Sequence, residues 1–163
     1  MKRIVVYTSK TGFTKKYAEW IAQALGCEVK GMKEVNLSEL NQYDQVIYGG
    51  WIMGGMVSGY DKIKALNLKS LIVFASGMSL PTESIRQTIA EQNGIPSDDF
   101  YYFEGGYAPQ KVGFMGKTMI RMIAGNIKKK ENKTEEDLHM LQMVEGADHT
   151  EKREIDELIQ RLH

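Results

Sequence analysis

The chain alternates short apolar runs with amphipathic stretches, and this alternation limits its fold more than any other feature. Helical spacing predicts helices over 13–25, 60–66 and 83–93. Runs rich in β-branched and aromatic residues predict five strands: RIVVYT, CEVKGM, DQVIYGG, LKSLIVFASG and FYYFEGGY. Strands that alternate with helices predict an α/β fold, an open five-stranded parallel sheet with helices on both faces.

The stretch beyond Gly106 predicts only helices, over 113–130, 135–144 and 150–162. A length of 163 residues suits one domain with a core of its own. We therefore expect a single domain over 1–163, with a helical insertion or extension at about 107–148.

The charge balance limits the kinds of partner. With 21 basic and 21 acidic residues, the chain has no net field that would attract nucleic acid, so we expect no nucleic-acid partner. The tail is uneven, because residues 111–133 hold seven basic and one acidic residue, whereas residues 134–163 hold three basic and nine acidic residues. The tail is therefore a basic block followed by an acidic block.

Cysteine usage and hydropathy suggest where the protein works. Cys27 is the only cysteine, which excludes an intrachain disulfide and suits a reducing compartment. The apolar run after Met1 is too short for a signal peptide, and no stretch approaches the roughly 18 apolar residues of a membrane span. We expect a cytoplasmic protein, with peripheral membrane contact as the alternative.

The loop between the first strand and the first helix is the richest candidate site. It contains Thr8, Ser9, Thr11, Gly12 and Thr14 just before or within the first turn of the helix. The amide groups at a helix N-terminus attract anions, hydroxyls add donors, and glycine lets the backbone come close. The loop therefore predicts a phosphate site, and the alternative is ordinary capping by Thr11 or Thr14.

The absence of two nucleotide-binding motifs limits the class of phosphate compound that the loop would bind. The Gly-x-x-x-x-Gly-Lys-Ser/Thr loop of nucleotide triphosphatases does not occur, and neither does Gly-x-Gly-x-x-Gly. A phosphate held without a dedicated lysine favours a monophosphate ester.

The segment VVYTSKTGFTKKYAEWI resembles the flavodoxin signature. Val5, Val6 and Tyr7 are followed by constrained positions at the family's spacing, which are Ser9, Gly12, Thr14, Ala18 and Ile21. The resemblance implies a flavodoxin-like sheet of order 2-1-3-4-5 and flavin mononucleotide (FMN) as the cofactor. It also implies that the loop wraps the FMN phosphate with Thr8, Ser9, Lys10, Thr11, Gly12, Phe13 and Thr14.

A second loop follows the third strand, where flavodoxins place residues that line the isoalloxazine ring. The candidates are Gly50, Trp51, Ile52, Met53, Gly54 and Gly55. Glycines let backbone amides approach a ring, and Trp51 offers a stacking face, with Tyr60 a weaker candidate. The alternative is that Trp51 belongs to the core.

The third loop departs from the family pattern. Flavodoxins commonly have a stacking tyrosine after the fourth strand, whereas this chain has Ser76, Gly77 and Met78 and no aromatic residue. A second molecule could then stack on one face of the ring. The neutral net charge is a further departure, since flavodoxins that carry electrons are usually acidic.

The tail is similar to that of flavodoxin-fold protoporphyrinogen dehydrogenases. The likeness rests on Phe103-x-Gly105, on an aromatic and basic linker, and on a helix with the pairs Met119-Ile120 and Met122-Ile123. It implies a quinone acceptor and a small aromatic or porphyrin substrate.

The helix over 113–130 has two interpretations. Its apolar residues recur at helical spacing, and basic residues lie among or after them. A Met-rich face that packs on the sheet is the favoured interpretation. The alternative is a basic amphipathic helix that contacts a membrane surface.

The functional hypotheses differ in class. The first is an FMN oxidoreductase with a small substrate, and a plain carrier that passes electrons between redox partner proteins is its alternative. A binding module without redox activity is the third hypothesis. We nominate no catalytic side chain and no metal ligand, because His139, His149 and His163 lack ligand spacing and are expected to be solvated.

Overall fold

A computed structural model describes residues 1–163 and contains one main sheet and one two-stranded ribbon. The strands are β1 (Arg3–Tyr7), β2 (Glu28–Gly31), β3 (Gln45–Met53), β4 (Met56–Val57), β5 (Leu71–Gly77), β6 (Phe100–Glu104), β7 (Gly106–Tyr107) and β8 (Ala147–Asp148). The helices are α1 (Phe13–Leu25), α2 (Tyr60–Lys64), α3 (Glu83–Asn93), α4 (Phe114–Lys128), α5 (Glu135–Met143) and α6 (Asp156–Leu162).

The main sheet confirms the predicted topology. Its order is β2-β1-β3-β5-β6, and neighbours along this path are parallel. With the short strand β4 set aside, this is the order 2-1-3-4-5 expected from the sequence. Strand β1 lies between β2 and β3, with Val5 opposite Val29 and Ile47.

Alternate residues of the strands face two separate cores. Val5, Ile47 and Phe74 face one core, which α1 and α6 cover, whereas Val6, Tyr48 and Val73 face the other. Helices α2 and α3 cover that second core. Both faces of the sheet are therefore shielded from water, which explains the nearly continuous apolar sequence of the strands.

The third strand is longer than predicted. It continues beyond Gly50 to Met53 and folds back as a hairpin with β4. Position 49 of this strand must be glycine because the Phe74 ring occupies the space where a Cβ would lie. The glycines at 49 and 50 are strand residues and do not end the strand, so that part of the sequence interpretation is wrong.

The C-terminal segment adds a second layer beside the carboxyl edge of the sheet. Strands β7 and β8 form an antiparallel ribbon, and α4 packs against α5. The favoured prediction, that a Met-rich face of α4 packs on the sheet, is wrong. Phe114 and Met115 are more than four-fifths exposed, and Met122 is mostly exposed. Its buried residues, Ala124 and Ile127, lie on the opposite face.

The helix after 150 begins later than predicted. Residues 152–155 form a 3-10 turn, and the α-helix starts at Asp156. None of the helices is both long and apolar enough to cross a bilayer.

Candidate functional site

A cleft of about 280 Å³ lies at the carboxyl ends of β1, β3, β5 and β6. Ligands of open α/β sheets bind at this edge. Predicted site residues from all three loops line the cleft: Ser9, Lys10, Thr11, Phe13, Thr14, Trp51, Ile52, Met53, Gly54, Ser76, Gly77 and Met78. The topology therefore brings the three loops together, and contact of these residues with a ligand stays a prediction.

The start of α1 provides free amide donors. The N-cap residue is Gly12, and no side chain caps the helix, so the predicted cap by Thr11 or Thr14 is wrong. Gly12 has a φ of 99°, which other residues adopt only at a cost. Because the first N–H groups of a helix lack partners within the helix, these donors are available to an anion.

The four hydroxyls of this loop have two different tasks. Ser9 Oγ accepts the Gly12 amide at 3.1 Å, which leaves its own O–H free to donate. Thr8 Oγ1 is hydrogen-bonded to the Tyr48 hydroxyl at 2.8 Å, and the buried Thr14 Oγ1 lies 2.6 Å from Ser76 Oγ. Thr8 and Thr14 therefore fasten the loop to β3 and β5, while Ser9 and Thr11 are the hydroxyls available to a ligand.

Side chains of α3 hold the hairpin of β3 and β4 in place through hydrogen bonds to its backbone. Gln92 Nε2 donates to the Gly54 carbonyl at 3.1 Å, and Asn93 Nδ2 donates to the Gly55 carbonyl at 2.9 Å. Asn93 Oδ1 also accepts the Val57 amide at 2.9 Å. This anchoring fixes the hairpin that carries Trp51 into the cleft.

Trp51 is half-buried in the wall of the cleft and does not belong to either core. The Lys10 ammonium lies 5.6 Å from the centre of its ring, within the range of a cation–π contact. Tyr60, the weaker candidate for a ring contact, packs in the core instead and does not line the cleft.

Four predicted residues do not line the cleft. Thr8, Gly12, Gly50 and Gly55 instead shape the backbone around it. Thr8 is hydrogen-bonded to the Tyr48 hydroxyl, and Gly12 precedes α1. A Cβ on Gly50 would meet the Ser58 carbonyl, and one on Gly55 would meet the Gln92 side chain.

Sequence reasoning missed one whole wall of the cleft. The residues come from α4, α5 and the segment before them: Tyr107, Gly116, Met119, Ile120, Ile123 and Met140. Those on α4 share one face, since 116, 119, 120 and 123 follow helical spacing. That spacing is visible in the sequence, but the direction in which the face points is not.

Two tyrosines beside the cleft, Tyr48 and Tyr102, have raised pKa values and stay neutral at physiological pH. Burial raises the pKa of Tyr48 to about 12, although its hydrogen bond to Thr8 opposes the shift. Burial, with a smaller contribution from Glu136, also raises the pKa of Tyr102, whose O–H donates to the Ser79 carbonyl at 2.8 Å. Both groups therefore act as hydrogen-bond donors that fix the loops.

The histidines differ from the expectation that all three are solvated. His139 is buried and His149 is half-buried, and both contact Glu104 at the edge of the cleft. Only His163 is exposed as expected. The sequence interpretation is wrong for His139 and His149 because folding of the tail brings residues together that have no recognisable spacing.

The model of the flavodoxin domain family matches residues 4–135 of the chain. No match was found among curated proteins.

Several solved structures resemble parts of the chain. Oxidised Flavodoxin 2 from Bacillus cereus is 22% identical, with 64% of this chain and 84% of that chain covered and a TM-score of 0.47. A flavoprotein in complex with FMN from Lactobacillus acidophilus is 16% identical, with coverage of 63% and 90% and a TM-score of 0.41. A flavodoxin, WrbA-like protein from Agrobacterium tumefaciens is 15% identical, with coverage of 98% of each chain and a TM-score of 0.46. Because these TM-scores are all below 0.5, the family of the chain is assigned from the family model and the sheet order and not from these structures.

The sheet order, the uncapped helix at a hydroxyl-rich loop and the three-loop cleft together define a flavoprotein of the flavodoxin type. The chain belongs to the flavodoxin domain family. FMN is the cofactor of this family and therefore of this chain, and members of the family typically pass electrons to redox partner proteins.

The residues present fit FMN. The free amides of α1 and the hydroxyls of Ser9 and Thr11 suit a phosphate, and the apolar wall beyond them suits a flat aromatic ring. The open position of Gly12, where a Cβ would meet no atom within 4 Å, leaves room for the phosphate beside the backbone.

Proposed function

We propose that the chain is an FMN-dependent oxidoreductase that exchanges electrons with a small aromatic molecule beneath α4. The observation that carries this proposal is the apolar wall that α4 and α5 add to the cleft, formed by Met119, Ile120, Ile123 and Met140. A carrier that serves only protein partners has no need of a helix over its cofactor cleft.

The phosphate end of FMN would be held by the loop before α1. Ser9 and Thr11 would donate hydroxyl hydrogens, and the amides of the first turn of α1 would add backbone donors. Thr14 keeps the loop fixed through its contact with Ser76. These donors are in position before the ligand arrives, which reduces the entropy lost on binding.

The ring end of FMN would lie along Trp51 and the Gly77–Met78 backbone. When bound, FMN supplies the redox chemistry through its isoalloxazine ring. The chain itself would exclude water from the ring with apolar side chains, and Tyr102 of β6 is a neutral donor to the Ser79 carbonyl of the third loop. The lining contains no carboxylate or histidine that would serve as an acid or base.

The substrate class follows from the shape and polarity of the wall. Methionine and isoleucine side chains suit a flat apolar molecule, and methionine adapts to irregular shapes. The likeness of the tail to protoporphyrinogen dehydrogenases supports a quinone as acceptor and a small aromatic or porphyrin-like donor.

Two neighbouring positions on α4 provide a matched test. Ile123 lines the cleft, whereas Met122 is exposed and does not. After anaerobic reduction of the FMN-loaded protein, a short-chain benzoquinone would be added and the return of oxidised-flavin absorbance followed. We expect Ile123→Gln to slow this reaction at least about tenfold and Met122→Gln to leave it unchanged. Equal rates in both variants would contradict a substrate site beneath α4.

A second candidate function is supported by the outer face of α4. Phe114, Met115 and Met122 are exposed there, and Lys117 and Arg121 lie on the same helix. An exposed apolar patch with basic neighbours suits a redox partner protein or peripheral contact with an anionic membrane. If Met122→Gln slows electron transfer to a protein acceptor but not to the quinone, this candidate gains support over the first.

A further inference from the structure

Three polar side chains from distant parts of the chain meet beside the FMN cleft. Glu104 ends β6, His139 lies on α5, and His149 follows β8. Glu104 Oε1 lies 2.7 Å from His139 Nε2 and 2.8 Å from His149 Nδ1. One ligand atom from each residue lies within 4.8 Å of the other two. We call these three residues the Glu-His-His cluster.

The cluster is well shielded from water. The side chains of His139 and Glu104 are 9% and 13% exposed, and that of His149 is 38% exposed. His139 Nε2 is buried without a hydrogen-bond partner, because its close approach to Glu104 lacks the alignment of a hydrogen bond. A buried polar atom left in this way is costly, which indicates that something else normally satisfies it.

The surrounding charges favour a cation. No lysine or arginine pairs with Glu104, whose ion-pair partners are the two histidines alone. The Glu104 amide donates to Glu154 Oε2 at 2.8 Å, so a second carboxylate is close. Two carboxyl groups therefore lie close together at this site, and neither histidine partner of Glu104 carries a fixed positive charge.

The donor set matches the ligand preference of first-row transition metals. Two imidazole nitrogens and one carboxylate oxygen suit Zn²⁺ and its neighbours, whereas Ca²⁺ and Mg²⁺ prefer oxygen ligands alone. In a tetrahedral zinc site the donors lie about 2.0–2.2 Å from the metal and about 3.3 Å from one another. The Glu104 oxygen, now 2.7 and 2.8 Å from the two histidine nitrogens, would have to move away from each by roughly half an ångström.

The backbone around Glu104 is already held in place. Its carbonyl accepts the Tyr17 O–H at 2.5 Å, and the His149 amide donates to the Gly105 carbonyl at 2.9 Å. Such outer contacts orient the ligands of metal sites and account for part of their affinity.

We propose that Glu104, His139 and His149 bind one divalent transition metal of the zinc type, with the fourth position open to water. The metal joins α5 and β8 to the end of β6 and so fastens the tail that forms one wall of the cleft. Gly105 and Gly106, which follow Glu104, and Met140, which follows His139, all line that cleft. The site is separate from the residues assigned to FMN, so the proposal does not depend on the redox function.

The test is binding of Zn²⁺ to the purified full chain after treatment with a chelator. Isothermal titration of ZnCl₂ into wild type would give one bound equivalent, with or without FMN. His149→Asn and Glu104→Gln would each weaken binding at least about tenfold. The matched control is His163→Asn, which removes an exposed histidine outside the cluster and would leave the affinity unchanged.

Replacement of Zn²⁺ by Co²⁺ gives a second readout that needs no variant. Coordination by the cluster would produce the strong visible absorption of four- or five-coordinate cobalt, which hydrated Co²⁺ lacks. Absence of this absorption in wild type, or Zn²⁺ affinity in His149→Asn equal to that of wild type, would overturn the proposal. If the variants fail to fold, the cobalt spectrum of wild type decides alone.

Discussion

Helices α1 and α4 have similar amphipathic sequences but lie in opposite surroundings. In α1 the apolar face, with Tyr17, Ala18 and Ile21, is fully buried against Val5, Ile47 and Phe74 of the sheet. In α4 the side chains of Phe114, Met115 and Met122 extend into solvent, and another face of the helix lines the cleft. The sequence period determines that a face exists, but the sheet area available determines whether it is buried.

This difference separates two roles within one chain. The sheet with α1, α2, α3 and α6 contains both buried cores and accounts for stability. The segment from β7 to β8 contributes to neither core, and the proposed function gives it a role in binding. Variants in the two regions should therefore change different properties.

The largest effect is expected from truncation in α1. Ile21 has no exposed surface, so Ile21→Ala removes buried methylene groups and leaves a cavity, which costs about 2–5 kcal/mol. Met122→Ala on α4 is the matched change, and its cost should stay within about 0.5 kcal/mol because Met122 is 62% exposed. Urea unfolding of both variants measures the difference. Similar losses would break the comparison between the two helices.

Tyr48 links the buried sheet to the loop before α1. At neutral pH, Tyr48→Phe removes the hydrogen bonds to Thr8 and Ser58, at a cost of about 0.5–1.5 kcal/mol. Because burial raises the pKa of Tyr48 to about 12, its contribution is complete below pH about 10 and is lost as the pH rises from about 10 towards 12.

The stability of wild type should therefore fall towards that of Tyr48→Phe as the pH rises above about 10. Denaturant unfolding at pH 7 and above pH 10 tests this difference. A gap between the two proteins that stays constant or widens with pH would contradict the assignment.

A capping box at the start of α5 allows a test of whether the tail and the sheet unfold separately. Thr134 Oγ1 accepts the Asp137 amide at 3.0 Å, and Asp137 Oδ2 accepts the Thr134 amide at 3.0 Å. Thr134→Ala should cost about 0.5–2 kcal/mol in this helix. Hydrogen exchange would become faster in α5 and stay unchanged in β1 and β3. Faster exchange throughout the sheet would instead show that the two regions unfold together.

The smallest effect on stability is expected on the outer face of α4. Phe114 and Met115 are 82% and 84% exposed, so Phe114→Ser with Met115→Ser should change the free energy of unfolding by no more than about 0.5 kcal/mol each. Binding to anionic vesicles, measured by sedimentation, tests whether this face has a partner. Equal sedimentation of wild type and variant would remove the membrane from the candidates.

Much of the sheet was predictable because buried parallel strands have a distinctive composition. The bounds of α1 and α3 agree with the predicted ranges, and the loop after β1 was located from its hydroxyls and glycine. The extension of β3 to Met53 was missed because the glycine pair at 49 and 50 is typical of a strand end, whereas here the Phe74 ring and the Ser58 carbonyl leave no room for a Cβ at these positions.

The features that could not be predicted from the sequence have one physical cause in common. They depend on tertiary contacts of the tail. The cleft wall from α4 and the Glu-His-His cluster unite residues that are far apart in sequence. His139 looked like a surface residue because nothing in its neighbourhood predicts that α5 would pack beside the end of β6. The sequence pattern therefore located the loop before α1 as part of the cleft but not the segment that covers the cleft.

The most direct test of the central claim compares FMN with riboflavin, which lacks the phosphate. Quenching of flavin fluorescence gives both dissociation constants for wild type and for Thr11→Val, with Thr88→Val on α3 as the control. The account predicts that Thr11→Val weakens FMN binding about tenfold or more, the value of a hydrogen bond to a charged group, and leaves riboflavin binding unchanged. Equal weakening for both ligands, or no change for FMN, would contradict a phosphate site at the start of α1.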